Sequence, residues 1–218
     1  MRDISLLRFN TLAGYVRDYR FYLSIEELEW YESADGRLLG VVARDRTDND
    51  FAYVILGRDR LRRYRAVAIE HSFPSRKKAR QQLRVGFAKF AKASSSVFFQ
   101  GDEKGNPIEV FRPVVSLEKQ SKAFVALSTR GTYPATRVIE EMMHWYEDID
   151  GNFLEQFQST GFDARLWELY LFATFIEAGL ALDRSYSAPD FLCIGPYGKF
   201  FVEATTAIPL SPQLIRVR

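Results

Sequence analysis

The sequence predicts a mixed α/β (α+β) protein. An N-terminal antiparallel β meander with helices precedes a C-terminal helix that is followed by a mixed sheet. Three observations carry this prediction. Stretches rich in Val, Ile, Leu and Tyr alternate with turn residues over 29–70. Segment 164–178 is long and apolar between capping signals. Strand-like stretches return on both sides of a Gly-Pro-Tyr-Gly turn at 195–198.

The N-terminal elements are predicted from the spacing of apolar residues, which changes along the chain. Residues 6–28 show loose helical spacing and predict one or two helices. Four strands are expected after them, because turn clusters separate four short apolar stretches. These strands are 29–33, 37–44, 51–56 and 64–70.

A helix is predicted next, over about 76–93, with Pro-Ser at its start and three serines at 94–96 at its end. The stretches 97–100 and 108–115 predict a further hairpin. A polar stretch at 117–133 suggests a linker.

The linker divides the chain into two regions, since domains commonly have roughly 100–150 residues. Region 1–116 is α+β and carries the basic meander and helix, and region 134–218 begins with a helix over 135–147.

Composition limits the class of protein. The chain has 218 residues, 47% of them hydrophobic and 27% charged, with one cysteine and two histidines. This excludes disordered, collagen-like and disulfide-scaffold proteins. No apolar run reaches the ~18 residues of a membrane span, and the first ten residues lack a secretory signal pattern. We expect a cytoplasmic protein that does not bind membranes.

Charge is distributed unevenly. Segment 58–92 holds twelve Lys and Arg against two acidic residues, whereas 134–190 holds eleven acidic residues against three arginines. The basic segment predicts a surface for nucleic-acid phosphates, with Tyr64 available to stack on a base. The alternative is that the two segments attract one another. The candidate phosphate-binding residues are Arg60, Arg62, Arg63, Arg65, Arg76, Lys77, Lys78 and Arg80.

Glu168 interrupts the apolar helix predicted over 164–178. Such a helix should be buried on most of its surface, and Gly179 fits the left-handed residue that ends it. A buried carboxylate needs a partner. Arg165, one turn earlier, is one candidate, and a bound cation is the other.

The hairpin around 195–198 brings two more carboxylates together. If Pro196 and Tyr197 are the central turn residues, Asp190 lies directly opposite Glu203. Directly opposed side chains have Cβ atoms ~5 Å apart, and like charges that close share a proton or hold a cation. The apolar residues around Glu203 favour a buried position. Oxygen ligands suit Mg²⁺ or Mn²⁺.

This arrangement resembles the PD-(D/E)XK nuclease superfamily, which includes restriction endonucleases. The matching residues are Glu168 on the helix, Asp190 in Pro-Asp before one strand, and Glu203 in the next, within 160–207. The resemblance implies a restriction-endonuclease-like core and Mg²⁺-dependent phosphodiester hydrolysis, with DNA as the favoured polymer. It also implies that Asp190 and Glu203 are direct metal ligands and that Glu168 is a direct or water-mediated one.

Two features depart from this family. Thr205 stands where the family has a lysine, and it could hydrogen-bond a water or a phosphate but carries no charge. The family core continues with a helix and a strand, whereas eleven residues follow Ala207. Earlier segments or a partner chain, including a second copy, would then complete the core, or the chain is truncated. The alternative functions are a non-catalytic nucleic-acid-binding module and a protein-interaction module.

Two other reactive groups have simpler interpretations. His144 has no accompanying Ser or Cys motif, so we expect a surface or half-buried histidine on a helix. Cys193 lies on the strand face opposite Asp190 and is expected to be a small core residue.

Overall fold

The computed structural model describes residues 1–18, 20–92, 97–129, 134–149, 151–186 and 188–207. The fold is α+β with two sheets. The first sheet contains β1 (Arg2–Asp3), β2 (Ile25–Glu32), β3 (Leu38–Asp45), β4 (Phe51–Arg58) and β5 (Tyr64–Phe73). The second contains β6 (Ala181–Asp183), β7 (Phe191–Gly195) and β8 (Gly198–Val202). The helices are α1 (Leu6–Ala13), α2 (Phe21–Ser24), α3 (Arg76–Ala91), α4 (Lys122–Thr129), α5 (Pro134–Met143), α6 (Phe153–Gln158) and α7 (Phe162–Glu177).

The predicted meander is confirmed, because β1 to β5 lie in chain order and every neighbouring pair is antiparallel. The prediction of helix as far as residue 28 is wrong at its end. Ile25 already pairs with Asp45, so β2 begins there. Pairing with β3 satisfies the backbone groups of this segment and overrides its local helical spacing.

Helix α3 covers one face of the five-stranded sheet. Ser75 caps it by accepting a hydrogen bond from the backbone N–H of Lys78 at 3.3 Å. Leu83 and Phe87 are buried against the strands. They approach β3 at Gly40, where an added Cβ would lie 2.5 Å from the Phe87 ring. The glycine therefore permits the close contact between helix and sheet. The predicted serine end at 94–96 lies outside the described residues.

The hairpin predicted from 97–100 and 108–115 is wrong, since no strand occurs in this described segment. The side chain of Gln158, not a second strand, forms hydrogen bonds with the backbone of this segment. Its amide nitrogen donates to the carbonyl oxygens of Val110 and Arg112 at 3.1 and 2.8 Å, and its oxygen accepts from the N–H of Val114 at 2.8 Å. These contacts satisfy backbone groups that a strand ladder would otherwise pair.

The predicted linker at 117–133 contains α4, and Phe124 on this helix is 1% exposed. Residues 130–133 lie outside the described part of the chain.

Helix α5 begins near the predicted residue and ends at Met143. Arg58 on β4 pairs with Glu141 on α5 at 2.6 Å, so the basic and acidic segments do contact each other. The division into domains stays a prediction.

Helix α7 and the second sheet share an aromatic core with α4, α5 and α6. The prediction that α7 is buried on most of its surface is wrong, because Trp167 and Tyr170 are 40% and 59% exposed and stack on each other. Gly179 has the predicted left-handed conformation, with φ 78°.

The second sheet is antiparallel, not mixed. The connections between β6, β7 and β8 are too short for the crossover that a parallel pair needs. Among the described residues, no helix is long and apolar enough to cross a membrane.

Candidate functional site

The hairpin of β7 and β8 has the predicted register. Phe191 pairs with Val202 and Gly195 with Gly198. Asp190 directly precedes Phe191 and Glu203 directly follows Val202, so these two residues are opposed just beyond the last strand pair. The backbone N–H of Asp190 donates to Glu203 Oε2 at 3.2 Å, and the N–H of Ala204 donates to Asp190 Oδ2 at 2.7 Å. Each carboxylate therefore accepts a hydrogen bond from the backbone at or next to the other residue.

Each of these carboxylates keeps one oxygen without a hydrogen bond from the described residues, Oδ1 of Asp190 and Oε1 of Glu203. Asp190 is half-buried and Glu203 is exposed. The expectation that Glu203 is buried is wrong, because β8 is an edge strand whose residues are largely exposed in the part of the chain that is described.

Glu168 is buried, with 3% of its surface exposed. Arg165, one of the two candidate partners, donates from Nη1 to its Oε2 at 2.5 Å, and Arg184 Nη2 donates to Oε1 at 2.7 Å. The Tyr146 hydroxyl also donates to Oε1. Burial and the charge of Glu168 hold the pKa of Tyr146 far above its usual range, so the phenol stays protonated. Both oxygens of Glu168 are thus already occupied.

A pocket of about 30 Å³ joins Glu168 to Asp190. This volume accommodates one or two water-sized groups. Glu203 does not line this pocket, although its carboxylate accepts a hydrogen bond from the backbone N–H of Asp190. The lining side chains include Tyr146, Asp148, Arg165, Glu168, Arg184, Tyr186 and Asp190. The structure therefore places two of the three predicted metal-ligating carboxylates, Glu168 and Asp190, on one pocket together with two arginines.

Arg184 is the residue that sequence reasoning missed. Its side chain is 12% exposed, and its guanidinium lies 3.9 Å from the centre of the Tyr146 ring. Nε and Nη1 are buried and have no hydrogen-bond partner among the described residues. The signal in the sequence is that Arg184 is one of three arginines in the acidic segment 134–190.

No group of three or more His, Cys, Asp and Glu side chains that could hold a metal ion occurs in the described ranges. Glu168 in addition has both carboxylate oxygens engaged by Arg165, Arg184 and Tyr146. Thr205 is exposed, and its hydroxyl makes no hydrogen bond with any described residue. Cys193 is buried as expected, and burial raises the pKa of its thiol to about 11.

The predicted phosphate-binding surface is largely engaged in internal contacts. Arg63 pairs with Asp59 at 2.8 Å and Arg65 with Asp102 at 3.1 Å. The other contacts are Arg62 with Glu109, Arg60 with the carbonyl of Glu103, and Arg76 and Arg80 with Glu29. Lys77 and Lys78 are exposed and have no side-chain partner among the described residues. They are the predicted cations most accessible to a phosphate.

The contacts of Glu29 with Tyr31, Arg76 and Arg80 predict that the stability of the fold depends on pH. Burial raises the pKa of Glu29, but hydrogen bonds from Arg80, Tyr31 and Arg76 outweigh it and lower the pKa to about 2. The pKa of Glu29 is lower in the folded chain than in the unfolded chain. The resulting stabilisation is therefore fully present when the pH is above the pKa of the unfolded chain, and it is lost as the pH falls towards 2. We expect the intact chain to lose about 2 kcal/mol between pH 5 and pH 2 through this group.

Urea unfolding at several pH values measures this loss. The Glu29→Gln variant should show a correspondingly flatter pH profile. Equal slopes for the Glu29→Gln variant and the intact chain would show that Glu29 does not contribute.

No family model, curated protein or solved structure matches the chain.

Proposed function

We propose that the chain is a divalent-metal-dependent phosphodiester hydrolase, similar to nucleases, whose reaction takes place beside the β7–β8 hairpin. One observation carries this proposal. The register places Asp190 opposite Glu203, their carboxylates accept hydrogen bonds from the backbone N–H groups of Ala204 and Asp190, and Asp190 lines a pocket together with the buried guanidinium of Arg184. These are the carboxylates that resemble the PD-(D/E)XK motif.

The carboxylate oxygens of Asp190 and Glu203 are suitable ligands for one hard cation. Asp190 Oδ1 and Glu203 Oε1 are oxygen donors without hydrogen-bond partners among the described residues. Mg²⁺ is commonly held by one or two carboxylates together with waters and substrate phosphates, so a third carboxylate is not required. A metal ion bound here would lower the pKa of a water and stabilise charge on the leaving oxygen.

Two arginines supply the positive charge that Thr205 lacks. Nε and Nη1 of Arg184 are buried and make no hydrogen bond with any described residue, so the charge of this guanidinium would stabilise a phosphate placed beside the pocket. Arg165 lines the same pocket. Glu168 is a positioning residue in this proposal, because its carboxylate holds both arginines. The Thr205 hydroxyl is free to hydrogen-bond a water or a phosphate.

DNA is the substrate that we propose, and Lys77 and Lys78 at the start of α3 would contact its phosphates. Their exposure and lack of internal partners among the described residues support this assignment. Each phosphate contact releases counterions, so binding should weaken steeply as salt concentration rises.

Calorimetric titration with Mn²⁺ tests the metal site. The intact chain should bind about one Mn²⁺, and Asp190→Asn and Glu203→Gln should each weaken binding at least tenfold, because each variant removes one of two ligands. Glu177→Gln alters an exposed carboxylate on α7 and should bind as the intact chain does.

Circular dichroism checks that all variants are folded. No Mn²⁺ binding at millimolar concentration by the intact chain, or unchanged binding by both site variants, would refute the proposed metal site.

A further inference from the structure

A second pocket, of about 400 Å³, lies between β4, the segment 108–112 and α5. It shares no lining residue with the phosphodiester site proposed above. Its volume falls within the range of roughly 300–1,000 Å³ typical of small-molecule sites. Four arginines line it, Arg58, Arg62, Arg112 and Arg137, against three glutamates.

The inner part of this pocket contains a buried nitrogen that makes no hydrogen bond within the part of the chain that the structure describes. His144 is 9% exposed at its side chain and lines the pocket. Its Nδ1 lies 3.4 Å from Glu141 Oε2 but forms no hydrogen bond with any described residue. Glu141 is held instead by Arg58, at 2.6 and 3.0 Å. A buried nitrogen that lacks a well-formed hydrogen bond costs free energy, which a ligand with an acceptor or donor at this position would recover.

The outer part of the pocket presents exposed guanidiniums. Arg62 pairs with Glu109 at 3.0 Å and Arg137 with Glu140 at 3.3 Å, while Arg112 lies 3.9 Å from Glu109. Exposed ion pairs of this kind contribute little to stability. The guanidiniums can therefore exchange these carboxylates for a phosphate group, which they bind in a bidentate geometry.

One wall of the pocket is apolar. Ile108 and Phe111 are half-buried and line it beside the arginines. An aromatic ring of a ligand could pack on Phe111 while its phosphate contacts the arginines. We propose that this pocket binds a phosphomonoester of nucleoside monophosphate size, with its phosphate at Arg112 and Arg137 and a polar group of its organic part at His144 Nδ1.

Calorimetry with AMP, adenosine and inorganic phosphate tests the proposal, in EDTA so that no metal ion contributes. AMP should bind, and adenosine and phosphate should each bind at least tenfold more weakly. Arg112→Ala and Arg137→Ala should each weaken AMP binding at least fivefold, and both side chains are more than two-thirds exposed, so folding should not change. Arg44→Ala removes a guanidinium from β3 and is the matched control.

The two histidines of the chain provide a second measurement. Ring resonances of His144 should shift when AMP is added, whereas those of the exposed His71 should not. The proposal is overturned if AMP does not bind at millimolar concentration, if both arginine variants bind it normally, or if adenosine or phosphate binds as tightly. It is also overturned if the His144 resonances do not move. Because EDTA is present, failure here is independent of the metal site.

Discussion

Replacement of Glu168 by glutamine is expected to lower the free energy of unfolding by about 3 kcal/mol. The carboxylate is 3% exposed and accepts hydrogen bonds from Arg165, Arg184 and Tyr146. The variant keeps the shape of the side chain but leaves two largely buried guanidiniums without a counter-charge. Removing one partner of a buried ion pair is costly because the remaining charge stays desolvated. Urea unfolding monitored by fluorescence measures the change.

A matched variant separates this effect from a general effect of removing charge from α7. Glu177→Gln alters an exposed carboxylate on the same helix and should change the free energy of unfolding by less than about 0.5 kcal/mol. Adding Arg165→Gln to the Glu168→Gln variant should then cost less than Arg165→Gln alone, since the arginine has already lost its partner. A loss below about 1 kcal/mol for Glu168→Gln, or full additivity, would contradict this account.

The carboxylate pair could be predicted from the sequence because a short turn determines hairpin register. With Pro196 and Tyr197 at the centre of the turn, alternation along the strands places Asp190 opposite Glu203, and the observed pairs agree. The pairing of Glu168 with Arg165 was equally accessible, since residues three apart lie on one face of a helix. These features are local, and local rules predict them.

The remaining features depend on residues distant in the sequence. Gln158 holds the backbone of 110–114, which local pattern assigned to a hairpin. The exposure of Glu203 depends on which elements cover β8, and that is a property of the whole fold. Composition identified a basic segment but not its internal partners, because Glu29 is 47 residues from Arg76 in the chain. Charge counts therefore overestimated the accessible basic surface.

Asp190→Asn is expected to reduce Mn²⁺-dependent cleavage of plasmid DNA at least 100-fold. Asp190 is a proposed metal ligand and also accepts the N–H of Ala204 at 2.7 Å. Asparagine keeps an oxygen for this hydrogen bond but loses the charge that holds the cation. Loss of one electrostatic contact to a transition state typically costs 10²–10³ in rate. Initial rates of conversion of supercoiled to nicked plasmid give the measurement.

Two further variants make the cleavage result interpretable. Thr205→Val removes a hydroxyl but no charge, so the rate should fall by about tenfold or less, whereas Glu177→Gln should cleave as the intact chain does. A larger loss for Thr205→Val than for Asp190→Asn would show that the charge of the carboxylate is not what drives the reaction. Mn²⁺ binding without cleavage of any DNA would instead favour the non-catalytic nucleic-acid-binding module. In that case the metal ion and Arg184 would hold a phosphodiester in place without hydrolysing it.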